Sequence, residues 1–230
     1  MKYCIGCIGG YNSDMAKTKE EQLRQIAAAG VVAIIRANSK DQLMGIAQAL
    51  IQGGVCGIEV TMTTPKAIAG IEMLADKLGD SAVVGVGTVI DAATARDAIS
   101  AGAQFVVSPV FDEQIVATTR RYDKIAIPGA FTPTEILRAW TIGADVVKVF
   151  PSTAVGPGYF KDILAPLPQL RLMPTGGVDL KNAGQWIKAG AVFVGAGSSL
   201  ISKDALISSD WTSVTDNAKA FVQAIQTARA

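Results

Sequence analysis

Short apolar runs rich in β-branched residues alternate along the chain with segments in which Ala, Leu and Ile recur at helical spacing. The runs recur about every 20 to 25 residues, which predicts strands joined by helical crossovers. Runs that are apolar almost throughout are typical of a parallel sheet covered on both faces. The eight predicted strands are VVAIIR (31–36), GIEVT (57–61), AVVGVGT (82–88), QFVVSP (104–109), KIAIP (124–128), DVVKVF (145–150), RLMPT (171–175) and AVFVGAG (191–197).

The segments between the runs carry start and stop signals of helices. SKDQLMGIAQALIQGG is predicted to begin at a capping Ser39 and to end at the glycine pair 53–54. DAATARDAISAGA is predicted to begin at a capping Asp91. Further helices are predicted near 16–29, before the first strand, and near 214–228, after the last. The chain thus alternates strand and helix, with one helix ahead of the first strand.

An eightfold alternation of strand and helix in 230 residues indicates an α/β protein. It closes most economically as a (β/α)8 TIM barrel with an extra N-terminal helix. A doubly wound open sheet is the alternative, but no GxGxxG follows the first strand. No linker or low-complexity tract divides the chain, so we predict a flexible leader at 1–14 and a single barrel domain at 15–230.

Composition and charge argue against several classes of partner. Half of the residues are hydrophobic. The net charge is only +1, so the protein has no strong positive electrostatic field that would hold nucleic acid or an anionic membrane. No apolar run approaches the ~20 residues that span a bilayer. The opening MKYCIGCIGG is too short and glycine-rich for a signal peptide. We therefore predict a cytoplasmic protein whose partner is a small molecule.

Cysteine and histidine usage narrows the chemistry. Three cysteines cannot form a disulfide framework, and for the CxxC of Cys4 and Cys7 two free thiols are favoured over a zinc or redox site. The chain has no histidine, which removes the commonest general base and most catalytic zinc sites. Acid–base chemistry must then come from Lys, Glu, Asp, Tyr, Cys, Arg or water, and no metal site is predicted.

One lysine and one glutamate interrupt the apolar strands near their carboxyl ends, the face of a barrel where active sites lie. Lys148 alternates in step with Val146 and Phe150, and Glu59 shares its face with Thr61, so both charged groups are predicted to point into the barrel. A buried ion pair that only fills the core is the alternative, although such pairs stabilise proteins poorly. We favour a catalytic pair in which burial keeps the lysine amine neutral.

Polar residues also end the first and third strands. Arg36 would suit a substrate carboxylate, or else it is an arginine of the barrel rim. The third strand ends in GVGT, where Gly85 and Gly87 permit a close approach of backbone and Thr88 offers a hydroxyl. A tight turn alone would also explain these glycines.

The loops after the seventh and eighth strands, MPTGG and VGAGSS, are both rich in glycine. Barrels commonly bind phosphate in these two loops, on backbone N–H groups. Ordinary turn glycines are the alternative, but the occurrence of both loops after the right strands favours phosphate. The predicted phosphate-binding amides are those of Gly176, Gly177, Gly197 and Ser198.

Eight stretches, in order along residues 31–201, resemble the class I 2-keto-3-deoxy-6-phosphogluconate (KDPG) aldolases and their 4-hydroxy-2-oxoglutarate aldolase relatives. The stretches are VVAIIRANS, GIEVTMTTP, GVGTV, FVVSPVFDE, IPGAFTPTE, VVKVFPSTAVGP, MPTGGV and VGAGSSL. A series of motifs in one order is far more specific than any single motif. The resemblance implies a (β/α)8 fold and a homotrimer.

The resemblance also implies roles for individual residues. Lys148 occupies the position of the Schiff-base lysine in a K-x-F-P motif, and Glu59 occupies that of the proton-shuttling glutamate in an E-V-T motif. The pocket residues implied in the same way are Thr88 and Pro109 at the pyruvate carboxylate, Phe150 two residues after the lysine, and Thr175, which matches a threonine implicated in stereochemical control.

One position departs from the family pattern. Some members carry a carboxylate-binding arginine four residues after the glutamate, where this chain has Thr63. Members similar to this chain in the V-x-R-A-N-S stretch have an arginine at the end of the first strand instead. The resemblance therefore implies that Arg36 supplies the missing cation.

Together these residues predict a class I aldolase that cleaves KDPG to pyruvate and glyceraldehyde 3-phosphate, through an imine on Lys148 with Glu59 moving the protons. The covalent iminium is the electron sink, so no cofactor is expected. Cleavage of 4-hydroxy-2-oxoglutarate and decarboxylation of oxaloacetate at the same lysine are alternatives within this chemistry. Outside it, a phosphate-binding barrel isomerase and a non-catalytic barrel that binds a phosphorylated sugar acid stay open.

Overall fold

The computed structural model describes residues 17–230, so the predicted leader, with Cys4 and Cys7, lies outside the described residues. The helices of this part are α1 (Lys19–Ala29), α2 (Asp41–Gln52), α3 (Ala67–Leu78), α4 (Ala92–Ser100), α5 (Glu113–Arg121), α6 (Pro133–Thr141), α7 (Gly158–Leu164), α8 (Ala183–Lys188), α9 (Lys203–Ser208) and α10 (Trp211–Arg229). The strands are β1 (Val31–Ile35), β2 (Gly57–Thr61), β3 (Val83–Gly87), β4 (Phe105–Val107), β5 (Ile125–Ile127), β6 (Gly129–Ala130), β7 (Val147–Val149), β8 (Leu172–Pro174) and β9 (Val194–Ala196).

The strands form two parallel sheets. One has six strands in the order β5-β4-β3-β2-β1-β9, and the other has three in the order β6-β7-β8. Isolated parallel bridges between Leu172 and Ala191 and between Thr175 and Gly195 link the β8 edge of the small sheet to the β9 edge of the large one. The chain is therefore an α/β protein with parallel strands, as predicted, and its strands are divided between two hydrogen-bonded sheets.

The predicted fifth strand is divided by a proline. β5 ends at Ile127 and β6 begins at Gly129, so residues 17–230 contain nine strands where eight were predicted. Pro128 has no N–H group to donate to a neighbouring strand, which interrupts the ladder at this residue. Its carbonyl still accepts a hydrogen bond of 2.9 Å from the N–H of Lys148. The interruption therefore falls beside the strand that carries the lysine.

Side chains of the strands alternate between two separate apolar layers. Ile58 and Val60 of β2, like Val147 and Val149 of β7, belong to the outer layer, which includes the buried faces of the helices. The inner layer joins residues from both sheets, and they are Val32, Val83, Phe105, Val107, Ile125, Ile127, Val146, Met173 and Phe193. The period of two along each strand therefore holds, and Glu59 and Lys148 lie on the inner face.

Helix α1 closes the inner layer at the amino ends of the strands. Its Leu23 and Ile26 belong to that layer. A Cβ added to Gly57, the first residue of β2, would lie 3.3 Å from the Cγ2 atom of Ile26. Because α1 covers this end, the inner face is accessible from the carboxyl ends of the strands. Among residues 17–230, no helix has the length and apolar character that crossing a bilayer would require.

Predicted helix ends are confirmed at one site and wrong at another. The Asp91 carboxylate accepts a 2.7 Å hydrogen bond from the N–H of Thr94, so Asp91 caps α4 as predicted. Ser39 does not cap α2, because that helix begins at Asp41 after Lys40, which makes no side-chain cap. Instead, a side chain inside the helix bonds to the backbone before it: the side-chain oxygen of Gln42 accepts a 3.1 Å hydrogen bond from the N–H of Asn38.

Candidate active site

Lys148 and Glu59 lie on the inner face of the strands, enclosed by apolar neighbours. Lys148 is 6% exposed in the middle of β7, and Glu59 is 1% exposed in the middle of β2. In the ladders Lys148 is paired with Gly129 and Met173, and Glu59 with Gly85. Two groups that are normally charged are thus held in the protein interior, where only the neutral form is inexpensive.

Burial shifts both groups toward their neutral forms. It lowers the pKa of Lys148 below its ordinary value of 10.5, opposed by the Glu59 carboxylate and assisted by the Arg36 guanidinium. Burial also raises the pKa of Glu59 above 4.5, opposed by Lys148 and then by Arg36. An amine without its proton is a nucleophile, and a carboxyl group whose neutral form is favoured by burial can give a proton and take it back.

The two groups do not form the structural ion pair that was the alternative interpretation. None of the ion pairs within 4.0 Å in the described part of the chain joins Glu59 to Lys148. The Oε2 atom of Glu59 has no hydrogen-bond partner among residues 17–230. The Nζ atom of Lys148 lies 4.9 Å from the centroid of the Phe150 ring. A buried carboxylate oxygen without a partner contributes no stability and is typical of a site that receives another group.

Two glycines of β3 make room for the inner side chains. A Cβ added to Gly87 would lie 1.8 Å from the Oε1 atom of Glu59, and one added to Gly85 would lie 2.4 Å from the Phe105 ring. The two positions therefore require glycine because of close contacts with neighbouring strands. A tight turn, the alternative interpretation of the GVGT run, is not needed to explain them.

The replacement Gly87→Ala should therefore lower activity by displacing Glu59. The new methyl group occupies the position of the carboxylate, and a displacement of about 1 Å at a catalytic group can cost ~10²-fold in rate. We expect kcat to fall by about that factor with little change in KM, while a borohydride trap of pyruvate on the enzyme persists. Unchanged kcat in a folded variant would mean that the position of Glu59 does not matter.

Arg36 follows β1 and lies close enough to influence both buried groups. Its positive charge lowers the pKa of Glu59 and that of Lys148. A Cβ added to Gly197 would lie 3.2 Å from the Nη1 atom of Arg36, so the guanidinium lies against the loop after β9. Thr63, at the position where some members of the resembled family carry an arginine, is exposed, and its hydroxyl lies 2.8 Å from that of Thr61. Arg36 is thus the cation beside the lysine.

Thr88, Pro109 and Phe150 follow the carboxyl ends of β3, β4 and β7, respectively. Thr88 is half-buried and has a φ of 62°, an unusual conformation for a β-branched residue. Strain of this kind is concentrated at functional sites, where the surrounding structure imposes it. Pro109 and Phe150 line a cavity of about 420 Å³ whose other lining residues include Thr134, Glu135 and Arg138 of α6.

The two glycine-rich loops converge on one cavity, which we call the loop cavity. It measures about 280 Å³ and is bounded by Arg36 and Phe150 on the side of the lysine. The predicted residues that line it are Thr175, Gly176, Gly177, Gly197 and Ser198. The Oγ1 atom of Thr175 is buried and has no hydrogen-bond partner among residues 17–230. The structure thus brings the predicted phosphate loops together.

Ser152 positions two of the active-site strands, a role that no motif in the sequence predicted. Its side chain is buried and donates a 2.8 Å hydrogen bond to the carbonyl of Val149, while accepting one of 3.0 Å from the N–H of Thr175. The N–H of Ser152 in turn donates to the carbonyl of Thr175. These bonds fix the carboxyl end of β7, next to Lys148, against the loop that carries Gly176 and Gly177.

Metal-binding side chains do not assemble in the described part of the chain. Among residues 17–230, no group of three or more His, Cys, Asp or Glu side chains is arranged to hold a metal ion. Cys56, the cysteine that lies in this part, is half-buried, and burial raises the pKa of its thiol. A thiol with a raised pKa is a poor nucleophile at neutral pH.

A buried amine and a buried carboxyl group on the inner face of parallel strands are the groups with which one class of enzyme forms an imine with a carbonyl substrate. The chain is a class I aldolase, a carbon–carbon lyase. A family model described as "KDPG and KHG aldolase" matches residues 21–217. The chain belongs to this aldolase family, and the isomerase and the non-catalytic binding protein are thereby set aside.

Individual relatives agree with the family. The chain is 34% identical over 200 residues to a 2-dehydro-3-deoxy-phosphogluconate aldolase of Dickeya dadantii, covering 86% of this chain and 92% of the relative. It is 33% identical over 171 residues to the 2-dehydro-3-deoxy-6-phosphogalactonate aldolase of Escherichia coli, covering 74% and 83%. A structure of Legionella pneumophila KDPG aldolase, with pyruvate captured as a covalent carbinolamine, superposes with a TM-score of 0.81 at 29% identity, covering 87% and 97%.

Proposed function

We propose that this chain cleaves KDPG to pyruvate and glyceraldehyde 3-phosphate through an imine on Lys148. One observation carries the proposal: the amine of Lys148 is almost fully buried, its pKa is lowered by that burial, and Glu59, whose pKa burial raises, lies on the same inner face. The Legionella relative holds pyruvate covalently, which agrees with this chemistry. The lysine thus stands in an apolar strand because it must lose its proton before it can attack.

The neutral amine of Lys148 adds to the C2 ketone, and loss of water from the carbinolamine gives an iminium. When the C3–C4 bond breaks, its electron pair moves into the iminium and forms an enamine, while the C4 hydroxyl loses its proton and becomes the aldehyde. Glu59 takes that proton and returns one to C3 of the enamine. Hydrolysis then releases pyruvate and restores the amine. The iminium is the electron sink, so this route requires no cofactor.

The other predicted residues bind the two ends of the substrate. Arg36 and Thr88 hold the carboxylate beside the lysine, and a planar guanidinium suits a carboxylate because it can donate two parallel hydrogen bonds. Pro109 and Phe150 form the apolar walls of the pyruvate pocket. The amides of the loop cavity, those of Gly176, Gly177, Gly197 and Ser198, receive the phosphate, and Thr175 faces the centre at C4.

Substrate preference separates the related activities. Relatives are named for phosphogluconate, phosphogalactonate and KHG/KDPG substrates. We propose KDPG as the preferred substrate, with 4-hydroxy-2-oxoglutarate cleavage and oxaloacetate decarboxylation as alternatives at the same lysine.

The test is a coupled assay of pyruvate release from four substrates. They are KDPG, its epimer 2-dehydro-3-deoxy-6-phosphogalactonate, 4-hydroxy-2-oxoglutarate and oxaloacetate. Borohydride reduction with pyruvate should modify a peptide that contains Lys148. An unmodified lysine in an enzyme that still turns over would contradict the imine.

We further propose that residues 15–230 form one closed (β/α)8 barrel domain and that the chain assembles as a homotrimer. The bridge between Thr175 and Gly195 supports closure on one side, and the continuity of the chain across Pro128 supports it on the other. The exposed apolar side chains of Val110, after β4, and Leu137, on α6, favour contact with another copy. Light scattering should give the mass of three chains of 23.9 kDa.

A further inference from the structure

A second cavity adjoins the loop cavity on the side of α9, and we call it the distal cavity. It measures about 450 Å³ and shares Ile34, Arg36, Gly197 and Ser198 with the loop cavity. The residues that line only the distal cavity are Asn38, Ile201, Lys203, Leu206 and Ile207. A ligand held by the amides of Gly197 and Ser198 therefore borders both cavities.

The polar side chains of the distal cavity are open to a ligand. Arg36, Asn38, Ser198 and Lys203 are all exposed. Within residues 17–230 none of these four side chains takes part in an ion pair, and the hydrogen bond at Asn38 uses its backbone N–H rather than its amide group. Two cations, one amide and one hydroxyl thus converge on one cavity without competing partners.

The charges of the substrate require a cation beyond Arg36. A 2-keto acid phosphate carries one carboxylate and a phosphate of about −1.5 to −2 charge at neutral pH. Among residues 17–230, the charged side chains that line the loop cavity are those of Arg36 and Asp179, and the Asp179 carboxylate already accepts backbone hydrogen bonds from Lys181 and Asn182. If Arg36 binds the carboxylate, the loop cavity offers the phosphate only amides and hydroxyls.

Lys203 is the cation that remains. Among the described residues it is the one lysine that lines the two joined cavities, and it lines the distal cavity together with Gly197 and Ser198. An ammonium next to a phosphate held on backbone N–H groups supplies the charge that the amides lack. We propose that Lys203, assisted by the Asn38 amide, binds the phosphate of the substrate and so makes the enzyme selective for phosphorylated 2-keto acids. The inference rests on the function proposed above and extends it.

The test is the variant Lys203→Met with two substrates. Loss of one charged hydrogen bond should raise KM for KDPG about tenfold and leave kcat within about twofold. For 4-hydroxy-2-oxoglutarate, which has no phosphate, both constants should stay at wild-type values. Lys203→Arg should restore most of the affinity for KDPG. The matched control is Lys77→Met, which removes the same charge from an exposed position at the C-terminal end of α3.

The outcomes separate this inference from the proposed function. An unchanged KM for KDPG, or an equal rise for both substrates, would overturn the role of Lys203. Failure of the wild-type enzyme to release pyruvate from either substrate would instead overturn the proposed function. In that case titration with inorganic phosphate tests the role of Lys203. Lys203→Met should bind phosphate more weakly than wild type, and Lys77→Met should not. Equal phosphate affinities of Lys203→Met and wild type would reject the role.

Discussion

The variant Lys148→Met should lose at least about 10⁴-fold in kcat/KM for KDPG, the scale of loss that follows removal of a catalytic nucleophile. Methionine keeps the approximate volume of lysine and has no amine, so neither the carbinolamine nor the iminium can form. An assay of pyruvate release measures the loss of kcat/KM. The absence of borohydride-dependent modification by pyruvate shows that the iminium no longer forms. The free energy of unfolding should stay within about 1.5 kcal/mol of wild type, since the replacement is nearly volume-conserving and removes a buried polar amine.

The control for this variant is Lys77→Met, the same replacement at an exposed lysine. It should keep full activity and full trapping of pyruvate. Measurable KDPG cleavage by Lys148→Met above the level of a contaminating enzyme would show that the reaction does not pass through this amine. A large loss of stability would instead show that the lysine serves mainly as part of the core.

The variant Glu59→Gln should lower kcat by ~10² to 10⁴-fold, the usual contribution of a general acid–base group. Glutamine has the same shape, and its amide cannot exchange protons at neutral pH. The imine should still form, so borohydride trapping of pyruvate persists. Exchange of the pyruvate methyl protons with deuterium, which requires enamine formation, should be lost. This pairing of retained trapping with lost exchange distinguishes a proton carrier from a residue that only supports Lys148.

Stability should depend on pH through the same carboxyl group. Burial raises the pKa of Glu59 above 4.5 in the folded protein, so the folded state binds more protons than the unfolded state just above that pH. Wild type should therefore lose unfolding free energy as pH rises through the raised pKa, and Glu59→Gln should not. The exposed Glu72→Gln is the matched control and should behave like wild type in every assay. Normal turnover by Glu59→Gln would exclude Glu59 as the proton carrier.

Much of the site could be predicted because strand periodicity alone assigns faces. Alternation put Glu59 and Lys148 on the inner face, and the described strands keep that alternation in two apolar layers. Arg36 could be predicted only as a residue that ends a strand, since its distance to Gly197 depends on how β1 and β9 are paired. Lys203 could not be predicted, because an exposed lysine on a short helix carries no local signal.

The sequence by itself determined the alternation of strands and helices, the inner position of the lysine and glutamate, and the absence of histidine from any mechanism. These properties are local, since they follow from side-chain period and residue type. The tertiary structure decided the pKa directions of Lys148 and Glu59, the need for glycine at position 87 and the junction of two cavities at Arg36. Each depends on groups distant in the chain that only folding brings together, because burial and electrostatic interaction are set by distance in space.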